Sequence, residues 1–214
     1  MYTCADCAGK PCRNHEMEQL PGNCPTAGRT EEENLALYSE EEIKMAYLSA
    51  RVEGDLYCQV TRVEEIMEYA LRMGYTHLGV AFCVGLSEEA RTFVRILRAN
   101  HFTVDSVCCK NGSVPKSLLG ITREQQAYPE LETEPMCNPA AQAELLVKAG
   151  CQLAVILGLC VGHDTLFIRH CSIPCTVLAV KDRVLAHNPI GALYMAESYM
   201  KNRLYTYVDR RGGK

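Results

Sequence analysis

With 214 residues, 48% of them hydrophobic and 22% charged, the chain is long enough to bury a substantial core in one main domain with a small appendage. A formal net charge of -4 and the lack of Lys/Arg runs exclude a nucleic-acid surface, which needs a basic stripe to displace counterions, and leave a small molecule or a redox partner protein as the expected partner. The longest uncharged apolar stretch, 151–162, is shorter than the roughly 20 residues a bilayer requires, so no membrane partner is expected.

Residues 1–35 form a Cys-rich segment with no hydrophobic period, which needs a metal or a docking surface to hold its shape. Its pattern is Cys4-x2-Cys7-x4-Cys12-x11-Cys24-Pro25. A Cys-x2-Cys pair puts two sulfurs on one side of a tight turn, and Cys12 and Cys24 complete four metal ligands. The single close pair and the trailing Cys-Pro lean toward an iron–sulfur cluster of the 4Fe-4S type, although the spacing is not that of ferredoxins. Zinc is the alternative, and His15 keeps a Cys3His set open.

From residue 36 to the end the signals are those of an α/β domain. Ser39 with Glu42 and Thr61 with Glu64 read as capping boxes opening two leading helices, near 40–53 and 62–74, and Gly74 reads as the stop of the second. A strand over 77–83, a helix over 87–99 and a strand over 102–109 follow, then a polar loop to about 136. A helix over 139–149, a strand over 152–160, a helix over 164–171, a strand over 174–181 and a helix over 189–202 complete the order. Asn138-Pro139 and Asn188-Pro189 each place a capping side chain before a proline at the first helical position. Strands alternating with helices predict a parallel sheet covered on both faces. Two right-handed βαβ units packed through their first strands give the order 2-1-3-4, a Rossmann- or flavodoxin-like sheet whose switch point lies between strands one and three.

Ligands in such sheets bind at the carboxyl ends of the strands at that point. Phe82-Cys83-Val84-Gly85-Leu86-Ser87 ends the first strand and Leu159-Cys160-Val161-Gly162-His163-Asp164 the third, each giving CVG before a capping Ser or Asp. Cys108-Cys109 ends the second strand, and Cys137 stands before the helix capped by Asn138. Cys83, Cys109, Cys137 and Cys160 therefore make a four-thiolate constellation, with Cys108 as the substitute for Cys109, able to hold a second cluster or another metal. The plainer reading keeps them as small residues beside glycine turns. His163 reads as a further ligand, a proton donor or a hydrogen-bond donor to sulfur, and Lys181 and Arg183 as holders of an anionic group. Cys160, His163 and Lys181 are the candidate catalytic residues. Asp164 and Asn188 read as helix caps, and Cys58, Cys151, Cys171 and Cys175 as structural.

Thirteen cysteines in all, an odd count, follow a start, Met1-Tyr2-Thr3-Cys4, that has neither a basic nor an apolar leader. The expectation is a reducing, cytoplasmic setting in which thiols serve as ligands or nucleophiles. The motifs CADC at 4–7, MCNPAAQAELL at 136–146, GLCVGHD at 158–164 and KDRVLAHNP at 181–189 resemble an uncharacterised domain family of small cysteine-rich bacterial and archaeal proteins described only as metal-binding. The resemblance spans nearly the whole chain. It implies a metal on the N-terminal cysteines and brings no reaction with it. Three functions are thus in view: an iron–sulfur redox protein or enzyme, a soft-metal sensor or carrier without turnover, and a zinc-stabilised enzyme with Cys160 as nucleophile beside His163.

Overall fold

The structure, a computed structural model, describes residues 1–206. The chain divides into two compact units, 1–57 and 58–214. The first begins as a succession of short 3-10 turns, Cys4–Asp6, Pro11–Asn14, Met17–Gln19 and Pro25–Gly28, as expected of a segment without a hydrophobic period. Two helices follow, α1 (Glu31–Leu35) and α2 (Glu40–Leu56). Each opens on a complete capping box, Thr30 with Glu33 and Ser39 with Glu42, in which the hydroxyl accepts the N–H three residues on and the carboxylate accepts the cap's own N–H.

The second unit opens with α3 (Arg62–Met73), capped by Thr61 and Glu64 and stopped by Gly74 at φ 79. Then come β1 (His77–Phe82), α4 (Ser87–Ala99), β2 (Thr103–Cys108), α5 (Pro139–Lys148), β3 (Leu153–Leu159), α6 (His163–His170) and β4 (Cys175–Val180). The four strands form one all-parallel sheet in the order β2-β1-β3-β4, the Rossmann/flavodoxin-like arrangement the alternation predicts. Alternation along the central strands divides the core. Leu78, Val80, Leu153 and Val155 pack with Ile66 and Ala70 of α3 and Phe93, Val94 and Leu97 of α4. Ala81, Ala154 and Ile156 pack on the other face with Ala143 and Leu146 of α5 and Phe167 of α6. Among the described residues no helix is long and apolar enough to cross a membrane.

Four local expectations need correction. The helix over 189–202 is instead α7 (Ile190–Tyr194), a run of turns, and α8 (Lys201–Leu204). Ile190, Leu193, Tyr194 and Tyr199 are all exposed and Met200 alone in this stretch is buried, so little apolar surface is covered to sustain one continuous helix. Asn188 does not cap α7 with its side chain; its main-chain carbonyl accepts from Gly191 N–H. Asp164 is not the cap of α6, because Gly162 at φ 85 takes that place and the helix starts at His163; the Asp164 carboxylate lies in the first turn and accepts from Thr165 N–H at 2.7 Å. Ser87 is likewise the first residue of α4, its hydroxyl donating to Val84 O at 2.6 Å.

Candidate metal centre

Three cysteines meet at the carboxyl edge of the sheet because the strand ladder carries on past the strand ends. Cys83 N–H donates to Leu157 O (3.1 Å), Cys109 N–H to Phe82 O (2.8 Å) and Asn138 N–H to Cys109 O (2.7 Å). Each bond sets one cysteine-bearing segment in register with the next, so Cys83, Cys109 and Cys137 arrive together from the ends of β1 and β2 and the approach to α5. Side-chain amides stitch the same edge. Gln142, fully buried on α5, donates to Phe82 O (3.2 Å) and Val107 O (2.7 Å), and Asn111 donates to Cys108 O and Asn138 O. The Asn138 side chain caps α5 by accepting from Ala141 N–H at 3.2 Å.

The long connection between β2 and α5 is closed by a clasp that delivers Cys137. Glu134, buried, accepts from Lys116 Nζ at 2.6 Å and from Ala127 N–H at 3.0 Å, Met136 N–H donates to Val114 O, and Pro115 bridges Pro135. Burial pushes the Glu134 carboxyl up, but Lys116 and the backbone donors outweigh it and hold the group below the ordinary carboxylate range.

Cys109 Sγ lies within hydrogen-bonding reach of both Cys83 and Cys137 and accepts from Val84 N–H at 3.3 Å. The Cys109 contact, helped by Gly85 N–H and Lys181 and opposed by burial, lowers the Cys83 thiol to about 5. The same contact, with His163 and Lys110 helping and burial and the Cys83 charge opposing, lowers Cys137 to about 6. Cys109 moves the other way, held protonated by its two neighbours and by its burial. Two of the three thiols are thus shifted toward thiolate, with Lys181 contributing at Cys83 and His163 and Lys110 at Cys137. Cys160 comes to this edge by another route: its Sγ accepts from Arg183 Nη2 at 3.3 Å, and the Arg183 charge also reaches Cys83. His163, expected beside Cys160, bonds the Cys160 carbonyl through its backbone N–H while its ring acts on Cys137. Cys108 is half-buried against the core cluster on that face of the sheet, and Cys109 is the member of the pair that joins the other thiols.

In the first unit, Cys4, Cys7, Cys12 and Cys24 all line one cavity of about 480 Å³, together with Asp6, Lys10, Arg13, Asn23 and Thr26 among others. The Thr26 hydroxyl and the backbone amides of Thr26 and Ala27 lower the Cys24 thiol. His15 is not part of that lining; its Nε2 stands 3.9 Å from Glu31. Among the described residues, the group of three donors lying within 4.8 Å of one another is His77, Asp105 and Cys151.

That group was not legible in the sequence, where Cys151 reads as structural. Burial pushes its thiol up to about 11, and the Asp105 charge adds to the shift. Cys171 and Cys175 are half-buried, and burial raises both. Cys58 is exposed at φ 56.

Fold and thiol groups together define a cysteine-rich parallel α/β protein, compatible with metal binding. The chain belongs to the family described as "Protein of unknown function (DUF1847)", which matches residues 24–178. It is similar to an uncharacterised protein of Methanocaldococcus jannaschii, MJ0455, with 44% identity over 165 residues, covering 77% of this chain and 82% of that protein. No solved structure matches it. The matched span holds Cys83, Cys109, Cys137 and Cys160, whereas Cys4, Cys7 and Cys12 precede it.

Proposed function

We propose that the chain is a two-centre metal–thiolate protein, with an iron–sulfur cluster on Cys4, Cys7, Cys12 and Cys24 and a soft metal or second cluster held at the carboxyl edge by Cys83, Cys109 and Cys137. The observation that carries this reading is the convergence of three thiols from separate segments, two of them depressed toward thiolate, through consecutive ladder bonds. Thiolates select soft and borderline metals. At the N-terminus the single close Cys4-x2-Cys7 pair and the trailing Cys24-Pro25, with all four cysteines lining one cavity, support a cluster. Such a cluster supplies one-electron transfer when bound.

The residues around the carboxyl-edge thiols give that site a direction. Lys181 beside Cys83, and Arg183 on Cys160, place two cations at the mouth, where an anionic small molecule gains charge-assisted hydrogen bonds. Cys160 serves there as a fourth donor, released when Arg183 turns to that anion. Gln142 and Asn111 keep the strand ends fixed, so the sulfur spacing is set before any ligand arrives.

Iron and acid-labile sulfide measured on anaerobically prepared full-length protein test both centres. Iron with sulfide is expected in the wild type. Cys4→Ser should lose the N-terminal share alone, and Cys137→Ser the carboxyl-edge metal alone. A colourless protein without iron or sulfide would remove the cluster reading, and full metal content in Cys83→Ser and Cys137→Ser would remove the second centre.

A further inference from the structure

The amino edge of the same sheet carries a separate convergence. His77 opens β1, Asp105 is the third residue of β2, and Cys151 stands just ahead of β3. The register pairs His77 with Thr103 and Gly79 with Asp105, which sets His77 and Asp105 diagonally on one face. Gly79, directly opposite Asp105 and two residues on from His77, lies on that same face, and its bare Cα makes the room. A Cβ there would lie 3.2 Å from Cys151 Sγ and 3.0 Å from the Leu146 methyls. Around this space Asp105 Oδ2 stands 2.7 Å, and Cys151 Sγ 3.7 Å, from the same ring nitrogen, His77 Nε2.

The shared nitrogen decides what the trio can be. In a nucleophilic relay the thiol and the carboxylate take opposite nitrogens of the imidazole, one activating and one orienting. Here both address Nε2, and a single N–H or lone pair cannot serve both, whereas one cation among the three serves all of them. We propose that His77 Nε2, Cys151 Sγ and an Asp105 carboxylate oxygen form a binding site for a divalent cation of the zinc class. Nitrogen, sulfur and oxygen donors in one set suit that borderline ion.

Bond lengths test the idea. Tetrahedral zinc holds its nitrogen and sulfur ligands about 3.6 Å apart and its nitrogen and oxygen ligands about 3.4 Å apart. The nitrogen–sulfur span is already there, and the carboxylate must retreat by about 0.7 Å, a small rotation for Asp105, whose side chain is 51% exposed. As the ion binds, the Cys151 thiol proton passes to solvent and the histidine keeps its hydrogen on Nδ1. Three protein ligands on a partly exposed edge leave the fourth position to water.

This site shares no residue with the carboxyl-edge or N-terminal thiols, so its fate and theirs are decided separately. Reduced full-length protein is loaded with Zn2+, desalted and counted, and the bound ion is then competed with a chromophoric chelator. His77→Gln, Asp105→Asn and Cys151→Ser should each lose one zinc equivalent or hold it at least about tenfold more weakly, while Cys83→Ser leaves that equivalent in place. Co2+ in place of zinc should give a wild-type minus Asp105→Asn difference spectrum of a four-coordinate ion with one thiolate. Because Cys151 is a core residue, Asp105→Asn and His77→Gln, checked for native circular dichroism, carry the decision. Unchanged zinc content and affinity in both would overturn the site and leave a His–Asp pair beside an inert thiol.

Discussion

Cys109 sits between two sulfurs that each ionise more readily because of it, and that arrangement sets what the residue scale predicts. In reduced, metal-free protein, thiolate absorption assigned by difference to Cys83 and Cys137 should persist below neutral pH and fade as the pH drops through about 6 and about 5. Cys109→Ala removes the largest cause of both shifts and should move them back toward the ordinary 9.0. The sign for stability follows: folded values below the unfolded one contribute fully above about 9, and the contribution is lost as the pH falls toward the folded values. Glu134 is the second test. With Lys116 partly exposed, Glu134→Gln should cost about 1–3 kcal/mol in urea unfolding at neutral pH. Since its carboxyl is depressed when folded, that difference should vanish in acid below the carboxylate range. The strand-end cysteines were legible because a parallel sheet gathers strand termini at one edge. His77, Asp105 and Cys151 were not, since His77 lies 28 and 74 residues from the other two and the residue that admits them, Gly79, acts through the side chain it lacks.

Elements here owe their limits to caps and to one irregular strand position. Thr61 Oγ1 accepts from Glu64 N–H, and the Glu64 carboxylate accepts from Thr61 N–H at 2.7 Å. Arg62 beside them reaches Thr176 Oγ1 at 2.8 Å, tying the start of α3 to β4. Thr61→Ala should lower stability by about 1 kcal/mol by thermal or urea unfolding. Gly158 is more demanding. It lies inside β3 at φ 67, where the pairing with β4 shifts register, and a Cβ would meet Leu86 at 2.8 Å. Gly158→Ala combines backbone strain with overpacking and should cost on the order of 3 kcal/mol. Capping boxes and hydrophobic alternation could be read from single residues and their spacing, which is why α3 to β4 stand within a few residues of expectation. The register shift at Gly158 and the break between α7 and α8 depend on what packs against them, and no local spacing encodes that.

At the scale of the whole molecule, the two units divide the proposed chemistry, with the four N-terminal cysteines in residues 1–57 and the edge thiols in 58–214. Cys7→Ser should therefore empty the first centre without altering the metal content of the second or the unfolding midpoint of the α/β unit, measured by elemental analysis and circular dichroism. The sheet also has a kinetic side. All three of its pairings are parallel and none is a hairpin, so each must close a long loop before it is repaid, and β1 finds β3 only after α4, β2, a connection of about thirty residues and α5 have been laid down. During that delay thirteen unpaired thiols are on offer to one another, and air-exposed refolding should yield scrambled, cross-linked chains where a reductant yields the native one.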